Sequence, residues 1–152
     1  MSETGANLPI FYHALYRHGV DEKRRVQIPT KWRPESEVTF TLVLWKKGQP
    51  NPCILALPPN LMGAMADKLS KMPFNDKSAE ALRRLLGSNS DTVTTDKSGR
   101  ICLPEWMSKE AGIEKDAVLV GMVDRFQIWN PERHQSTSEL DNALHEDAYN
   151  LI

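Results

Sequence analysis

Asp21-Glu22-Lys23-Arg24-Arg25-Val26-Gln27-Ile28-Pro29 has a counterpart about 75 residues later in this chain, Asp96-Lys97-Ser98-Gly99-Arg100-Ile101-Cys102-Leu103-Pro104. The aspartate, the arginine four residues after it and the final proline keep the same spacing in both copies. Alternate positions after the arginine are apolar in both. Because the separation is roughly half the chain length, the repeat predicts two supersecondary units, each of which needs the other to complete a core.

Each copy is typical of a charged hairpin tip followed by a short strand. In the second copy, Gly99 can take the positive φ that a tight turn requires, and the Asp96 carboxylate can accept hydrogen bonds from N–H groups of its own loop. In the first copy, Arg24 stands where that glycine would be. The first turn must therefore be built differently, or hold a left-handed non-glycine residue at a cost of about 1 kcal/mol.

The rest of the sequence predicts the same order of elements in both halves: strand, tip, strand, short helix, strand, strand, helix. We place the two repeats at residues 1–76 and 77–152, with no linker between them. Strands are predicted over 10–17, 25–28, 38–45, 53–57, 91–95, 100–103, 117–123 and 125–129, with a loop over 46–52.

Helix signals complete this assignment. Asn60 is the expected N-cap of a helix that runs to Met72, and a second helix follows Pro73 and ends at Gly87. A short helix is predicted between Pro104 and Gly112. A C-terminal helix starts at Asn130-Pro131 and places Leu140, Leu144 and Leu151 on one face, either covering the rest of the fold or contacting a neighbouring subunit.

Composition is that of an ordinary globular protein, with 40% hydrophobic and 26% charged residues in 152. The sequence has no apolar run near the roughly 20 residues that span a bilayer. Residues 1–9 lack signal-peptide features. Cys53 and Cys102 are expected to be reduced thiols, with Cys102 in the core. These features predict a cytoplasmic protein that does not associate with membranes.

The charge distribution bears on the kind of partner. The net charge of −1 argues against a globally basic nucleic-acid binder. However, residues 1–76 carry ten Lys/Arg against seven Asp/Glu, whereas residues 77–152 carry nine against thirteen. Any DNA binding would have to come from a local patch that oligomerisation multiplies.

The chemistry of the tips suits such a patch. The planar guanidinium of Arg25 or Arg100 can bind a phosphate or the O6/N7 edge of guanine, and Lys97 suits a phosphate. The alternative is that each tip is only a solvated turn with an exposed ion pair contributing about 0.2–1 kcal/mol. Recurrence of the same residues in register favours the functional interpretation.

These residues resemble the MraZ family of bacterial transcriptional regulators, within the AbrB-like group, over roughly residues 10–140. The matching segments are Tyr16-x-His18-x-x-Asp21-x-Lys23-x-Arg25-x-x-Ile28-Pro29, Asp96-Lys97-x-Gly99-Arg100-Ile101-x-Leu103-Pro104, Ala111-Gly112-Ile113, Val118-Leu119-Val120-Gly121 and Arg125-Phe126-x-Ile128-Trp129. Each segment is weak alone, but their order and spacing together are specific.

The resemblance implies an α+β fold in which two tandem AbrB-like halves form a swapped-hairpin β-barrel with flanking helices, assembled into homo-oligomeric rings. It also implies a nucleoid-associated regulator that represses its own division and cell-wall operon by binding direct repeats in double-stranded DNA, without a cofactor or a small-molecule substrate. The family's Asp-x-x-x-Arg motif carries over to Asp21 and Arg25, and to Asp96 and Arg100.

We therefore expect Arg25 and Arg100 to read bases or clamp phosphates, while the two aspartates hold the loops. The remaining tip cations, and one basic residue ahead of the first tip, would neutralise phosphates: Lys23, Arg24, Lys97 and Arg17. The alternative is an oligomeric interaction protein that keeps the ring without binding DNA. An enzyme ranks third, because the sequence lacks paired carboxylates, a nucleophile elbow and a P-loop.

Other chemically notable side chains receive structural interpretations. The four histidines and two cysteines do not form a close ligand set, and His18 is expected to pack or to hydrogen-bond beside the tip rather than bind a metal. The four tryptophans fall in or beside apolar runs and are assigned to the core: Trp32, Trp45, Trp106 and Trp129.

Overall fold

The computed structural model describes residues 10–34, 36–46 and 50–152. Within them lie the strands β1 (Leu15–Gly19), β2 (Arg25–Gln27), β3 (Thr39–Trp45), β4 (Cys53–Leu57), β5 (Ser90–Thr94), β6 (Arg100–Cys102), β7 (Asp116–Gly121) and β8 (Phe126–Trp129). The helices are α1 (Pro59–Ser70), α2 (Lys77–Ser88), α3 (Glu105–Ala111), α4 (Pro131–Asn142) and α5 (His145–Tyr149). The predicted α+β class is confirmed.

Six strands form one antiparallel sheet in the order β1-β7-β8-β4-β3-β5. Strands of the two halves are intermixed in it, since β1, β3 and β4 precede residue 76 whereas β5, β7 and β8 follow it. The remaining strands, β2 and β6, pair with each other as a separate antiparallel ribbon in which Val26 faces Ile101. Closure of these strands into a swapped-hairpin barrel stays a prediction.

The repeated segments supply the centre of the core. Val26, Ile28, Ile101 and Leu103 are all buried, so the alternation seen in the sequence corresponds to one inward face of the ribbon. They join a cluster that includes Trp32 and Phe126, whose ring centroids lie 4.9 Å apart. Burial of each such side chain stabilises the fold by roughly 1.5–3 kcal/mol. Burial of this inward face holds the ribbon against the core, and the two tips lie at its opposite ends.

Helices α1 and α2 cover the other face of the sheet, where Val43, Leu55 and Leu57 form a second cluster. Strand β4 is consequently buried along its whole length. Two further helix predictions are confirmed: Gly112 ends α3 with a left-handed φ of 69°, and the Asn130 side chain caps α4 by accepting from the Arg133 N–H.

Two helix-end predictions are wrong. Asn60 is not an N-cap, because α1 starts one residue earlier at Pro59, after Pro58, without a side-chain cap. Gly87 does not end α2, which continues through Ser88. The helix cap that the sequence reading missed is Asp76, which accepts from the backbone N–H groups of Ser78 and Ala79.

The strand predicted over 10–17 begins only at Leu15, because Ala14 takes a φ of 77° and interrupts the extended chain. Other strand bounds agree within about two residues. The single C-terminal helix is also wrong: α4 ends at Asn142 and α5 is separate, with Leu140 and Leu144 exposed. Residues 1–9 and part of the predicted 46–52 loop lie outside the described residues.

Cys102 is exposed rather than in the core, whereas Cys53 is buried. In the short strand β6, Ile101 points inward, so Cys102 lies on the outer face. Of the tryptophans, Trp32 and Trp129 are buried as predicted, but Trp106 is 40% exposed and Trp45 is half-buried. Within the described ranges, no helix combines the length and apolar character that crossing a membrane requires.

Candidate nucleic-acid interface

The first tip is organised by the carboxylate of Asp21. Its Oδ1 accepts hydrogen bonds from the backbone N–H groups of Lys23 (2.9 Å) and Arg25 (2.8 Å), and its Oδ2 accepts one from Nε of Arg25 at 2.7 Å. The turn is closed by backbone hydrogen bonds from Arg24 N–H to Asp21 O (2.9 Å) and from Asp21 N–H to Arg25 O (3.1 Å). One carboxylate therefore fixes both the loop and the arginine.

The second tip repeats this geometry atom for atom. Oδ1 of Asp96 accepts from the N–H groups of Ser98 and Arg100, both at 2.9 Å, and Oδ2 accepts from Nε of Arg100 at 3.0 Å. The matching backbone bonds, from Gly99 N–H to Asp96 O and from Asp96 N–H to Arg100 O, are both 2.9 Å long. The repeated sequence thus folds into two equivalent structures.

The hydrogen bonds lower the pKa of both aspartates. The largest cause is the N–H of Arg25 for Asp21 and the N–H of Arg100 for Asp96, and the other loop N–H groups and the guanidinium charges add to it. Both carboxylates are therefore ionised at neutral pH, and each holds its arginine through a charge-assisted bond.

Arg24 adopts a φ of 60° at the position where Gly99 has a φ of 81°. Of the two possibilities left by the sequence, the structure has the left-handed arginine rather than a different turn. The Arg24 side chain also crosses to the other half, where its Nε donates to the carbonyl of Leu103 at 3.2 Å. This bond offsets part of the cost of the left-handed conformation.

The ribbon joins the tips through matched contacts between the halves. The N–H of Leu103 donates to Arg24 O at 2.9 Å, and at the equivalent position the N–H of Ile28 donates to Gly99 O at 3.0 Å.

Side chains on the outer face of the ribbon also make equivalent hydrogen bonds between the two halves. Nε2 of Gln27 donates to Ser98 O at 2.8 Å, and Sγ of Cys102 donates to Lys23 O at 3.2 Å. Gln27 and Cys102 occupy equivalent repeat positions, so each tip is anchored by a side chain of the opposite half. Sequence reasoning did not select these two residues, although their shared register was the available signal.

The tips lie at opposite ends of the antiparallel ribbon, and Arg25 and Arg100 both lie on its outer face. The side chains of Arg25 and Arg100 are each 33% exposed, and Nη1 of Arg100 lies 3.9 Å from Oδ2 of Asp21. Lys23 and Lys97 are exposed. Among the described residues, the Nη groups of Arg25 donate to no protein acceptor. Two guanidinium groups with spare donors therefore converge on one surface.

Arg17 is not part of this arrangement. It lies on β1, at the edge of the six-stranded sheet, and its Nη2 is 3.4 Å from Oδ2 of Asp116. His18, on the same strand, stacks on Tyr16 with an interplanar angle of 9°, as its predicted packing role requires. The part of the chain that the structure describes contains no cluster of three or more potential metal ligands.

Comparison of the sequence with known proteins identifies the family of this chain. A family model described as "MraZ protein, putative antitoxin-like" matches residues 86–150. The transcriptional regulator MraZ of Clostridium tetani is 36% identical over 124 residues, which cover 82% of this chain and 84% of the relative. That of Acetivibrio thermocellus is 34% identical over 131 residues (86% and 89%), and that of Pediococcus pentosaceus is 32% identical over 138 (90% and 94%). The chain belongs to the MraZ family.

Proposed function

We propose that this protein is a sequence-specific DNA-binding transcriptional regulator whose two tips contact double-stranded DNA. The observation that carries the proposal is the position of Arg25 and Arg100, from two identically built loops, on one outer face of the ribbon, where Arg100 lies 3.9 Å from Asp21. A repeated cationic surface matches a partner whose own structure repeats. The name of the relatives, transcriptional regulator, is consistent with this partner.

In this proposal Arg25 and Arg100 are the recognition residues. Their Nε atoms are bound by Asp21 and Asp96, which leaves the Nη groups to donate to guanine O6/N7 or to a phosphate. Because the guanidinium is already oriented, little side-chain entropy is lost on binding. The aspartates act by positioning the arginines and do not touch the DNA themselves.

Lys23, Arg24 and Lys97 would neutralise phosphates beside the recognition residues, and Arg17 would reach DNA only if the duplex extends along β1. One subunit with a net charge of −1 should bind weakly. We propose that the two repeats, 1–76 and 77–152, close a swapped-hairpin barrel and that several subunits assemble into a ring. Tandem contacts of this kind can raise apparent affinity by about 10²–10⁴-fold through effective concentration.

The proposed target is a set of direct repeats upstream of the protein's own gene, in a division and cell-wall operon that the protein represses from the nucleoid. Footprinting on that DNA, combined with a solution mass, tests the target and the assembly together. Binding should weaken steeply with salt, with log K falling by about 0.9 per neutralised phosphate per tenfold change in salt. Absence of protection at low salt would contradict the proposal.

Arg100→Ala separates the site from the scaffold. Its side chain is partly exposed and outside the core, so far-UV CD should stay native while specific binding is lost. Loss of the fold would instead make Arg100 a structural residue.

A second candidate is a ring-forming interaction protein without DNA binding. It is favoured by an apolar groove of about 540 Å³ between β3, α1 and α2, lined by residues such as Trp45, Leu69 and Leu85. Retention of the oligomer together with no DNA binding at low salt would support this candidate.

A further inference from the structure

The second tip receives an arginine from the first half of the chain. A 3-10 turn, Thr30–Trp32, follows the first tip, and Arg33 comes directly after it. The guanidinium of Arg33 lies against Gly99: a β-carbon on Gly99 would be 1.8 Å from Nη1 of Arg33 and 2.2 Å from its Cζ. Gly99 is thus needed both for its φ of 81° and for the space that this guanidinium occupies.

The role of this contact follows from comparing equivalent positions in the two repeats. Gly99 is equivalent to Arg24, so the second tip lacks the arginine that the first tip carries in its own loop. Arg33, in turn, is equivalent to Ser108, a buried residue on α3. The missing cation is therefore supplied from the other half. Each tip ends with two arginines and one lysine: Lys23, Arg24 and Arg25 at the first, and Lys97, Arg100 and Arg33 at the second.

A polar cleft of about 260 Å³ opens beside the second tip, with Arg33 and Lys97 in its lining. Its other polar lining residues are Ser36, Glu37, Thr95 and Asp96. Among the described lining residues, the Asp96 carboxylate is already paired with its loop and Arg100, so Glu37 is the acidic group left to oppose the two cations. The buried Thr95 hydroxyl is taken by the backbone of Val38, so Ser36 supplies the hydroxyl available to a ligand.

The guanidinium of Arg33 has donors to spare. Its Nη2 donates to Oγ1 of Thr30 at 3.2 Å, whereas its buried Nε has no partner among the described residues. The buried Nε is out of a ligand's reach, but the Nη groups and Lys97, which lines the same cleft, supply donors of the kind that bind phosphate oxygens.

We propose that the cleft between Arg33 and Lys97 is a phosphate-binding site, occupied by a backbone phosphate of the DNA that Arg100 contacts. The inference rests on the proposed DNA-binding function and adds a residue outside the repeated tips to it. Because phosphate contacts carry no sequence information, Arg33 strengthens binding to all duplexes rather than selecting among them.

Arg33→Gln tests the site, since glutamine retains a donor for Thr30 and removes the charge. The matched control is Arg84→Gln, an exposed arginine on α2 that pairs with Glu80 at 3.8 Å. Binding of the full-length protein to the upstream duplex and to a scrambled duplex is measured over a salt series.

For Arg33→Gln the salt slope should fall by about 0.9 per bound subunit, with about 8-fold weaker binding per contact at 0.1 M salt and little change near 1 M. Both duplexes should be affected equally, and Arg84→Gln should match the wild type. Lys97→Gln should act like Arg33→Gln, whereas Glu37→Gln should tighten binding.

An unchanged slope for Arg33→Gln, with specific binding still abolished by Arg100→Ala, would overturn this inference and leave the proposed function intact. If the wild-type protein binds neither duplex at low salt, the proposed function fails and the inference fails with it. Should Arg33→Gln be misfolded by CD, the exposed position Glu37, which has no part in the proposed tip contacts, decides: tighter binding of Glu37→Gln supports the site, and unchanged binding refutes it.

Discussion

Oδ2 of Asp21 lies 3.9 Å from Nη1 of Arg100, although the two residues belong to different tips. The same oxygen accepts from Nε of Arg25 at 2.7 Å. At that distance the contact is electrostatic rather than a hydrogen bond, so Asp21 attracts the arginines of both tips, while among the described residues Asp96 pairs with Arg100 alone. The two tips are equivalent in backbone geometry but unequal in the electrostatic role of their aspartates.

This inequality predicts that Asp21→Asn weakens DNA binding more than Asp96→Asn. An asparagine oxygen can still accept from the loop N–H groups, but the second, negatively charged acceptor for the guanidinium is lost. The unfolding midpoint in urea at neutral pH should fall only modestly for either variant, since ion pairs this exposed contribute little to stability, so both variants stay folded in the binding assay. Electrophoretic mobility titrations of the two variants make the comparison, and an equal loss would contradict it.

Gly99→Ala should destabilise the protein through two separable causes. The left-handed φ costs an alanine about 1–2 kcal/mol, and the β-carbon collides with Arg33. In an Arg33→Ala background only the first cost should remain, so a double-mutant cycle by urea unfolding should show a coupling above about 0.5 kcal/mol.

Gly63→Ala is the matched control for Gly99→Ala. Gly63 lies in α1, and a β-carbon there meets nothing within 4 Å. Alanine should therefore stabilise the helix by about 0.5–1 kcal/mol. If the changes in unfolding free energy of Gly99→Ala and Arg33→Ala simply add, the β-carbon does not collide with Arg33.

The lowered pKa values of Asp21 and Asp96 predict a specific acid dependence of stability. An aspartate in the unfolded chain has an ordinary pKa of about 3.9. Because the folded pKa is lower, the two carboxylates stabilise the folded state above about pH 4, and this contribution is lost as the pH falls through the folded values. No change from these groups is expected between pH 6 and 8.

The measurement is the urea midpoint as a function of pH. The double variant Asp21→Asn/Asp96→Asn should lose stability less steeply below pH 4 than the wild type. Asp67→Asn, in an exposed pair with Lys71 on α1, is the control. If the double variant and the wild type lose stability equally steeply below pH 4, protonation of the tip carboxylates is not linked to folding.

The two cysteines should differ in reactivity. Cys102 is exposed and donates to Lys23 O, whereas Cys53 is buried. A thiol reagent added to the native protein should modify Cys102 alone, and unfolding in urea should release the second thiol. Mass spectrometry after digestion identifies the modified residue, and early labelling of Cys53 would contradict the burial described above.

The sequence predicts the local structure of the tips well, because an Asx turn and its arginine are determined within five residues. The register of Asp21 with Asp96 correctly predicts two equivalent loops, and the apolar alternation correctly predicts that Val26 and Ile101 are buried. The pairing of β2 with β6 joins residues far apart in the chain, and no local pattern encodes such a contact. The position of Arg33 over Gly99 depends on that pairing and was invisible for the same reason.

The wrong predictions have local causes. The apolar alternation of the second copy predicts Cys102 in the core, but Ile101 takes the inward position of β6, and alternation along the strand then turns Cys102 outward. Asn60 is an acceptable N-cap by residue type, but Pro59 occupies the first position of α1 and so places Asn60 inside the helix. Asp76 directly precedes α2 and caps it. Residue propensities predict structure least reliably in short strands and at the ends of helices.

The backbone contacts between Arg24 and Leu103, and between Ile28 and Gly99, also have a consequence during synthesis. A nascent chain that has emerged only as far as α2 lacks the strand against which β2 must pair. Neither loop can then be anchored, so an interrupted translation product cannot present the cationic surface. That surface is completed only late in elongation, when the second copy of the motif has left the ribosome.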